Sequence, residues 1–280
     1  MTSLAESYGH CRAITRARAK NFYYAFVLLD AQRRDSICAI YAFMRRCDDL
    51  SDEPGATEAP LHAWRGDLRA ALAGQMPPDP LWPAFADTVR RYRIPAHYFE
   101  DHIDGVMSDL RRSRIETFDE LRRYCYQVAS IPGLSLVHVF GTREPEALEL
   151  AEKCGIAFQL TNILRDVRED AENGRVYLPA EELRAFAVDP AGFASGAESP
   201  RFREMMRFQA ERARRYYDES RPLLDMVDRS CRASLWALIE IYSRLLDRIA
   251  ASGFDVLRRR VRVPGLVKSG IVIRSVLWKS

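Results

Sequence analysis

A row of acidic and amide side chains recurs at helical spacing in the second half of this sequence. Asn162, Asp166 and Asp170 follow one another at intervals of four residues, so on a helix they would share one face. Gln159 lies three residues earlier and extends the row. Carboxylate and amide oxygens are the ligands that hard divalent cations prefer. Such a row could bind Mg²⁺, although a solvated helix face would explain a single row equally simply.

A second row of the same kind makes a metal site the better interpretation. It consists of Tyr41, Arg45, Asp48 and Asp52, with Asp49 beside it. Both rows lie in segments whose other residues are apolar or small, so both helices are expected to be buried. Buried charges are costly unless they are paired or bind a metal. Facing each other across a helical bundle, the two rows could hold several Mg²⁺ ions and, through them, a diphosphate.

Composition excludes several other classes of function. The chain has 280 residues, of which 48% are hydrophobic and 29% charged, the balance of a globular protein. Its formal charge of +3 is too small to argue for a nucleic-acid partner. Six scattered cysteines form no C-x-x-C pair and five histidines form no H-E-x-x-H motif, which argues against zinc and favours reduced thiols in a cytoplasm. The first 20 residues lack an apolar core of signal-peptide length, and no run of 18 apolar residues occurs, so neither a signal peptide nor a membrane-spanning helix is expected.

The hydrophobic pattern predicts an all-α protein. Apolar residues recur at intervals of three and four over long stretches, and strand signals are few. We expect about ten helices in one domain that covers residues 1–280. Breaks between helices are expected at Pro60, the turn 76–80, Pro95, the turn 142–145 and the loop 189–200. Pro132 is expected to break or kink the helix that begins at Phe118.

Four motifs in this order resemble the squalene/phytoene synthase family. They read DDLSD, YCYQVAS, NILRDVRED and GRVYLP, and the resemblance extends from about Lys20 to about Val263. It implies a single-domain helical bundle of the isoprenoid synthase type with a central active-site cavity. It also implies an enzyme that joins two prenyl diphosphate molecules head to head with Mg²⁺.

Spacing and resemblance together give the expected site. Metal binding is expected of Asp48, Asp49, Asp52, Asn162, Asp166 and Asp170. Catalytic roles are expected of Tyr41, Arg45, Tyr124 and Arg165. Substrate contacts are expected of Lys20, Asn21, Phe22, Val128, Gln159, Arg175 and Tyr242. Spacing alone would make Tyr124 and Tyr242 ordinary core residues, and Asn21 stands where the family usually has serine.

The resemblance also suggests a reaction, with the length of the substrate left open. The expected mechanism is loss of diphosphate to give an allylic cation, which a second prenyl chain attacks in a cavity that excludes water. Tyr41 and Tyr124 could stabilise the cation or relay the proton that is lost. The cavity wall is expected to include Ala151, Cys154, Phe158, Val128 and Leu134.

Farnesyl diphosphate is the preferred substrate. Two molecules of it would give presqualene diphosphate for hopanoid synthesis. The grounds are the sequence VASIPG, where the family commonly has VAGTVG, and a short chain without an anchor. NADPH would be needed only if the reaction continued to squalene. The alternatives are phytoene synthesis from two geranylgeranyl diphosphates, a binding protein of the same family without activity, and a head-to-tail prenyl transferase or terpene cyclase.

The C-terminal segment is basic and apolar. It carries Arg258, Arg259, Arg260, Arg262, Lys268, Arg274 and Lys279, interleaved with Val, Leu, Ile and Trp278, and no acid follows Asp255. Two interpretations remain open, a helix that lies on a membrane surface and a terminal helix packed on the bundle. The first would place a cytoplasmic protein at the inner face of the membrane.

Overall fold

The fold is all-α, as the hydrophobic pattern predicts. It is taken from a computed structural model that describes residues 2–19, 22–52, 55–111, 113–196 and 199–277. Over these residues the chain forms helices and no β-sheet, and two isolated bridges join Arg114 to Val176 and Thr142 to Val227. Lys20 and Asn21, two of the expected substrate contacts, lie outside the described residues, as do Trp278 and Lys279.

The helices are α1 (Leu4–Arg18), α2 (Tyr23–Phe26), α3 (Ala31–Asp52), α4 (Glu58–Leu72), α5 (Trp82–Arg91), α6 (Ala96–Arg111), α7 (Phe118–Cys125), α8 (Ile131–Phe140), α9 (Glu146–Glu172), α10 (Ala180–Ala185), α11 (Pro200–Ser220), α12 (Leu223–Met226), α13 (Arg232–Ala251) and α14 (Gly265–Leu277). A π-helical turn, Tyr126–Ser130, joins α7 to α8. Pro60 does not separate two helices as predicted. It lies in the first turn of α4, where a missing backbone N–H leaves no hydrogen bond unmade.

Side-chain caps fix where several helices begin. Ser3 accepts a hydrogen bond from the Glu6 backbone N–H and Glu6 returns one to Ser3 at the start of α1, which is a capping box. At the start of α7, the Thr117 side chain accepts a hydrogen bond from the Glu120 backbone N–H. Each cap satisfies a backbone donor that the helix leaves unpaired.

Helix α3 is held by an aromatic cluster on its outer side. The Phe43 ring lies 4.6 Å from Phe85 of α5 and 5.3 Å from Phe99 of α6. Trp64 and Trp82 complete the cluster, and all five side chains are buried. Burial of such large rings stabilises the fold, and it also fixes the rotation of α3 about its axis. The opposite side of α3 therefore faces the centre of the bundle.

The π-helical turn packs tightly against α6 on one side and α9 on the other. A Cβ atom on Gly155 of α9 would overlap the backbone of Ser130, and one on Gly105 of α6 would lie 2.6 Å from the Cβ of Gln127. Both neighbours therefore have to be glycine for the turn to pack this tightly. Pro132 follows the turn in the first turn of α8. Pro132 does not end the helix, because the segment stays helical from Phe118 to Phe140, with the wider π turn directly before the proline.

Helix α14 packs on the bundle with one side only. Ile271 and Ser275 are buried, and the helix contacts α13 and α2. A single cluster of buried apolar side chains runs from Cys11 in α1 to Ile271 in α14. None of the helices in the described part of the chain is long and apolar enough to cross a bilayer.

Candidate active site

A cavity of about 420 Å³ lies at the centre of the bundle, between α3, α6, the π turn, α8, α9 and α13. Its volume falls within the range of small-molecule sites. One end is lined by carboxylates, amides and phenols, and the other by aliphatic and aromatic side chains. Such a cavity suits a ligand with a strongly charged head and a long apolar body.

The first acidic row reaches the cavity with a different set of residues from the one predicted. Tyr41, Asp48 and Asp52 line the cavity, whereas Arg45 and Asp49 are absent from its wall. The Arg45 Nε donates to Asp49 Oδ1 over 2.9 Å on the neighbouring stripe of α3. The aromatic cluster rotates α3 so that residues 41, 44, 48 and 51–52 face inward, and the Arg45–Asp49 pair lies beside them. Arg45 is 4.0 Å from both Asp48 and Asp52, so its charge still acts on the row.

The second row lies on α9 and lines the opposite side of the cavity. Its members there are Gln159, Asn162, Asp166 and Asp170. Arg165 is not on the cavity wall, because its guanidinium turns to Asp166, with Nε 2.8 Å from Oδ1. A second arginine, Arg260 from the segment before α14, lies 3.0 Å from the same carboxylate oxygen.

The two rows meet at the polar end of the cavity. Arg175, which follows α9, lies 3.9 Å from Asp52 of α3. Burial, together with the charges of Asp52, Asp49 and Asp109 and against the opposing effect of Arg45, raises the pKa of Asp48 to about 7. The accessible 45% of the Asp48 side chain opens into the cavity. Burial likewise raises the pKa of Asp170 to about 7, with Asp166 and Glu169 acting in the same direction. Concentrated negative charge at this end therefore favours a bound cation.

The donor set at this end fits Mg²⁺ that arrives together with a diphosphate. The Asn162 Oδ1 is buried and accepts no hydrogen bond from the described residues, which leaves an oxygen available as a ligand. No three His, Cys, Asp or Glu side chains converge into a preformed metal cage within the part of the chain that the structure describes. Mg²⁺ commonly binds one or two carboxylates together with substrate phosphates and water rather than an all-protein cage. Facing rows of separate carboxylates match that mode of binding.

Two tyrosines and an aspartate form a hydrogen-bonded cluster beside the acidic rows. The Tyr124 and Tyr177 hydroxyls donate to the two oxygens of Asp109 over 2.9 Å and 3.0 Å, and their rings stack at 5.0 Å. Burial raises the pKa of Asp109, and burial together with the Asp109 charge raises the pKa of both phenols. Asp109 and Tyr177 line the cavity but were not predicted. A usable signal existed for Asp109, since it continues the buried stripe of His102 and Val106 on α6.

Aromatic rings form the wall between the polar and apolar ends. Phe22 lies 5.4 Å from Tyr242, and Tyr242 stacks on Phe158 at 4.3 Å between ring centres. Tyr41 lines the cavity too, and burial raises the pKa of both Tyr41 and Tyr242 to about 12. These phenols therefore stay neutral, and their rings line the cavity, where aromatic rings can attract a cation.

The apolar end is built by side chains from several helices. Val128, Ala151 and Cys154 line it, as expected from the sequence. Leu134 is buried but does not reach the cavity. Additional members that the sequence did not indicate are Phe26, Leu136, Val137, Phe140, Leu223, Leu235 and Leu238.

Comparison with known proteins decides the family. The sequence profile of squalene/phytoene synthases matches residues 15–266. The chain belongs to the squalene/phytoene synthase family. Its resemblance to that family is thereby confirmed, and with it the coarser statement that the protein is a prenyltransferase of isoprenoid biosynthesis that uses prenyl diphosphates.

Sequence relatives within the family are phytoene synthases. The chain is 39% identical to the 15-cis-phytoene synthase of Synechococcus elongatus, over 94% of this chain and 90% of the relative. It is also 39% identical to the phytoene synthase of Arthrospira platensis, over 93% and 89% of the two chains. These similarities contradict the predicted synthesis of presqualene diphosphate from farnesyl diphosphate. The prediction was wrong because it rested on the sequence VASIPG and on a short chain without an anchor, whereas the apolar part of the cavity is assembled from side chains of several helices.

Solved structures of the family have the same fold. A dehydrosqualene synthase in complex with a ligand superposes with a TM-score of 0.90 at 29% identity, over 98% of this chain and 97% of that one. The squalene synthase HpnC from Alicyclobacillus acidocaldarius superposes with a TM-score of 0.84 at 26% identity, over 90% and 95%. The predicted isoprenoid-synthase type of helical bundle is confirmed.

Proposed function

We propose that this protein is a phytoene synthase, which joins two geranylgeranyl diphosphates head to head. The observation that carries the proposal is the 39% identity to phytoene synthases over more than nine tenths of the chain. The cavity supports it, because a charged end and an apolar end in one enclosure match a prenyl diphosphate.

In this proposal the polar end holds the diphosphate. Mg²⁺ would be held by Asp48, Asp52, Asn162, Asp166 and Asp170, and when bound it neutralises charge on the leaving diphosphate. Gln159 adds an amide that can donate to a phosphate oxygen.

One arginine is placed to contact the diphosphate directly, and two others act on it through carboxylates. Arg175 lies on the cavity wall and is placed to contact phosphate oxygens directly. Arg45 acts through the carboxylates of Asp48 and Asp52, and Asp49 keeps its guanidinium oriented. Arg165 holds the Asp166 carboxylate. Lys20 and Asn21 remain expected contacts of the diphosphate.

The aromatic wall then acts on the carbocation. Departure of diphosphate from one substrate leaves an allylic cation, and the double bond of the second substrate attacks it. The ring faces of Tyr41, Phe22 and Tyr242 stabilise positive charge without adding a nucleophile. The apolar end, which Val128 helps to line, excludes water that would otherwise quench the cation.

Closure of the cyclopropane ring releases a proton, and the Tyr124–Asp109 pair can take it. The Tyr124 oxygen accepts the proton from carbon while its own proton passes to the Asp109 Oδ2, 2.9 Å away. Burial raises the pKa of Asp109, which makes its carboxylate a better proton acceptor. The released diphosphate is the competing acceptor. Loss of a second diphosphate and a further proton yields phytoene, so the proposed reaction consumes no NADPH.

The test is incubation of the purified protein with geranylgeranyl diphosphate and Mg²⁺, followed by mass spectrometry of the extracted lipid. We expect a C40 hydrocarbon, phytoene, and its loss when Mg²⁺ is chelated or Asp52 is changed to asparagine. Unreacted substrate with the wild-type protein would contradict the proposal and favour a binding protein without activity.

A further inference from the structure

We propose that the outward faces of α14 and α2 form a docking surface for an anionic lipid bilayer. The surface, called here the α14–α2 face, consists of Leu266, Ile273 and Val276 of α14 together with Tyr24 and Val27 beside it. The inference goes beyond the proposed reaction and does not rest on it, because it concerns the outside of the molecule.

The orientation of α14 is the first observation. Ile271 and Ser275 point into the bundle and are buried. On the opposite side, Leu266 is 89% exposed, Ile273 62% and Val276 52%. A surface helix normally presents polar residues to water, whereas the outward row of α14 is apolar. An exposed apolar row of this kind marks an interaction site.

The apolar row continues onto α2. The Tyr24 hydroxyl lies 3.9 Å from the Cβ position of Gly265, and the Lys268 ammonium lies 5.8 Å from the centre of the Tyr24 ring. Tyr24 and Val27 are both exposed. Tyr24 therefore extends the apolar row of α14 onto α2, and Val27 follows it in the same short segment; together they are called the strip below.

The charges around the strip indicate which kind of partner it binds. From residue 256 to the end of the chain there are seven basic residues and no acid. Of these, Arg258, Arg262 and Arg274 are exposed, and Arg16 reaches α2 through a 3.1 Å hydrogen bond from Nε to the Tyr23 hydroxyl. An apolar strip bordered by basic side chains is the pattern of a helix that lies in the interface of an anionic membrane.

The same charge argues against a second copy of this chain as the occupant. A symmetric pair of copies would bring the basic borders of both strips together, and like charges repel. The strip is also the convex surface of a helix rather than a groove, so it fits a plane better than a peptide.

The strip lies close to the central cavity, so docking would affect the surroundings of the cavity wall. Phe22 and Phe26, on the inner side of the segment that carries Tyr24 and Val27, line the central cavity. A single short helix therefore separates the docking surface from the apolar interior. Docking there would bring the cavity wall against the membrane, where long-chain lipids are dissolved.

The test is flotation of the full-length protein with vesicles of phosphatidylcholine, alone or mixed with phosphatidylglycerol. We expect binding to the mixed vesicles, weakened by added salt and weaker on phosphatidylcholine alone. The triple variant Leu266→Gln, Ile273→Gln, Val276→Gln should lower the partition coefficient more than about tenfold. Arg262→Gln and Arg274→Gln should each lower it about fivefold on the anionic vesicles alone.

Matched controls separate docking from general effects of polarity and charge. Met76→Gln changes an exposed apolar side chain in the turn between α4 and α5, and Arg143→Gln removes an exposed charge in the turn before α9. Both should bind vesicles like the wild type, and circular dichroism should show every variant folded. Absence of vesicle binding, or equal binding by the folded triple variant, would overturn the proposal. So would light scattering that shows a dimer which the triple variant dissociates without any vesicle binding.

Discussion

At the scale of single residues, the Tyr124–Asp109–Tyr177 cluster is the part of the site with the most specific geometry. Each carboxylate oxygen of Asp109 accepts one hydrogen bond from a tyrosine, Oδ2 from Tyr124 and Oδ1 from Tyr177. Both phenols are neutral at physiological pH, and burial raises their pKa further above the ordinary value of 10. Tyr124 can therefore both accept a proton from substrate and pass one to Asp109.

Comparison of two phenylalanine variants tests that role. Tyr124→Phe removes the proposed proton relay and should lower kcat by about 100-fold or more with little change in KM. Tyr177→Phe removes one hydrogen bond to Asp109 but leaves the relay, so about tenfold or less is expected. Equal small effects in single-turnover measurements would instead identify the released diphosphate as the proton acceptor.

Asp170 tests the proposed Mg²⁺ site. Asp170→Asn removes a negative charge that lines the cavity, so the Mg²⁺ concentration for half-maximal activity should rise about 10- to 100-fold. Glu172→Gln is the matched control, since Glu172 lies on the same helix but pairs with Arg168 near the surface. The same Mg²⁺ dependence for both variants would remove Asp170 from the proposed ligands.

At the scale of elements, the π-helical turn sets the spacing between α6 and α9, and so the width of the cavity. Val128 and Ala129 of this turn line the cavity. Gly105 and Gly155 allow the close approach on its two sides, and the His102 Nδ1 donates to the Gln127 carbonyl over 3.1 Å.

Gly155→Ala should destabilise the protein, because the added methyl group overlaps the Ser130 backbone. Overpacking of a tight contact costs about 1–3 kcal/mol. Gly66→Ala, at an exposed position of α4 with open space around it, should stabilise by about 0.5–1 kcal/mol. Chemical denaturation measures both, and a neutral Gly155→Ala would show that the turn can move.

His102 should make the stability of the fold sensitive to acid. Burial lowers the pKa of His102 from 6.5 to about 4, with opposing hydrogen bonds from the backbone. The unfolded chain therefore binds a proton at His102 between these pH values while the folded chain does not, so the contribution of His102 to stability is complete above pH 6.5 and is lost as the pH drops towards 4. At about 1.4 kcal/mol per unit of pKa, the loss amounts to about 3 kcal/mol.

His102→Asn isolates this contribution. The asparagine amide can keep the hydrogen bond to the Gln127 carbonyl but does not titrate. Its free energy of unfolding, measured by urea denaturation, should decline less than that of the wild type between pH 6.5 and 4. Parallel curves for the two proteins would mean that other groups cause the acid sensitivity.

At the scale of the whole molecule, the fold and most of the residues at the polar end of the cavity could be predicted from the sequence. Carboxylates four residues apart in apolar segments are readable from sequence because helix geometry puts them on one face. The cavity wall includes Asp48, Asp52, Asp166 and Asp170 as expected. Tertiary packing determines which side of each helix faces the cavity, and the sequence pattern alone does not. Whether Met44 or Arg45 faces the cavity depends on the rotation of α3, which the Phe43 cluster fixes.

The length of the substrate could not be read from the sequence for a related reason. The motif residues line the end that would bind diphosphate, which is common to farnesyl and geranylgeranyl substrates. The apolar end is assembled from α8, α9, α12 and α13, through residues such as Phe140, Cys154, Leu223 and Leu238. No local pattern links residues so far apart, and the VASIPG sequence on which the farnesyl expectation drew supplies only Val128, Ala129, Pro132 and Gly133 to the cavity wall.

The most direct test of the proposed phytoene synthase is a competition between the two substrates. The wild-type protein is given Mg²⁺ and equal concentrations of farnesyl and geranylgeranyl diphosphate, and the C30, C35 and C40 products are quantified by mass spectrometry. The proposal predicts that phytoene, the C40 product, predominates and that its yield does not depend on NADPH. A predominance of C30 products would contradict it and would show that the apolar end of the cavity selects the shorter chain.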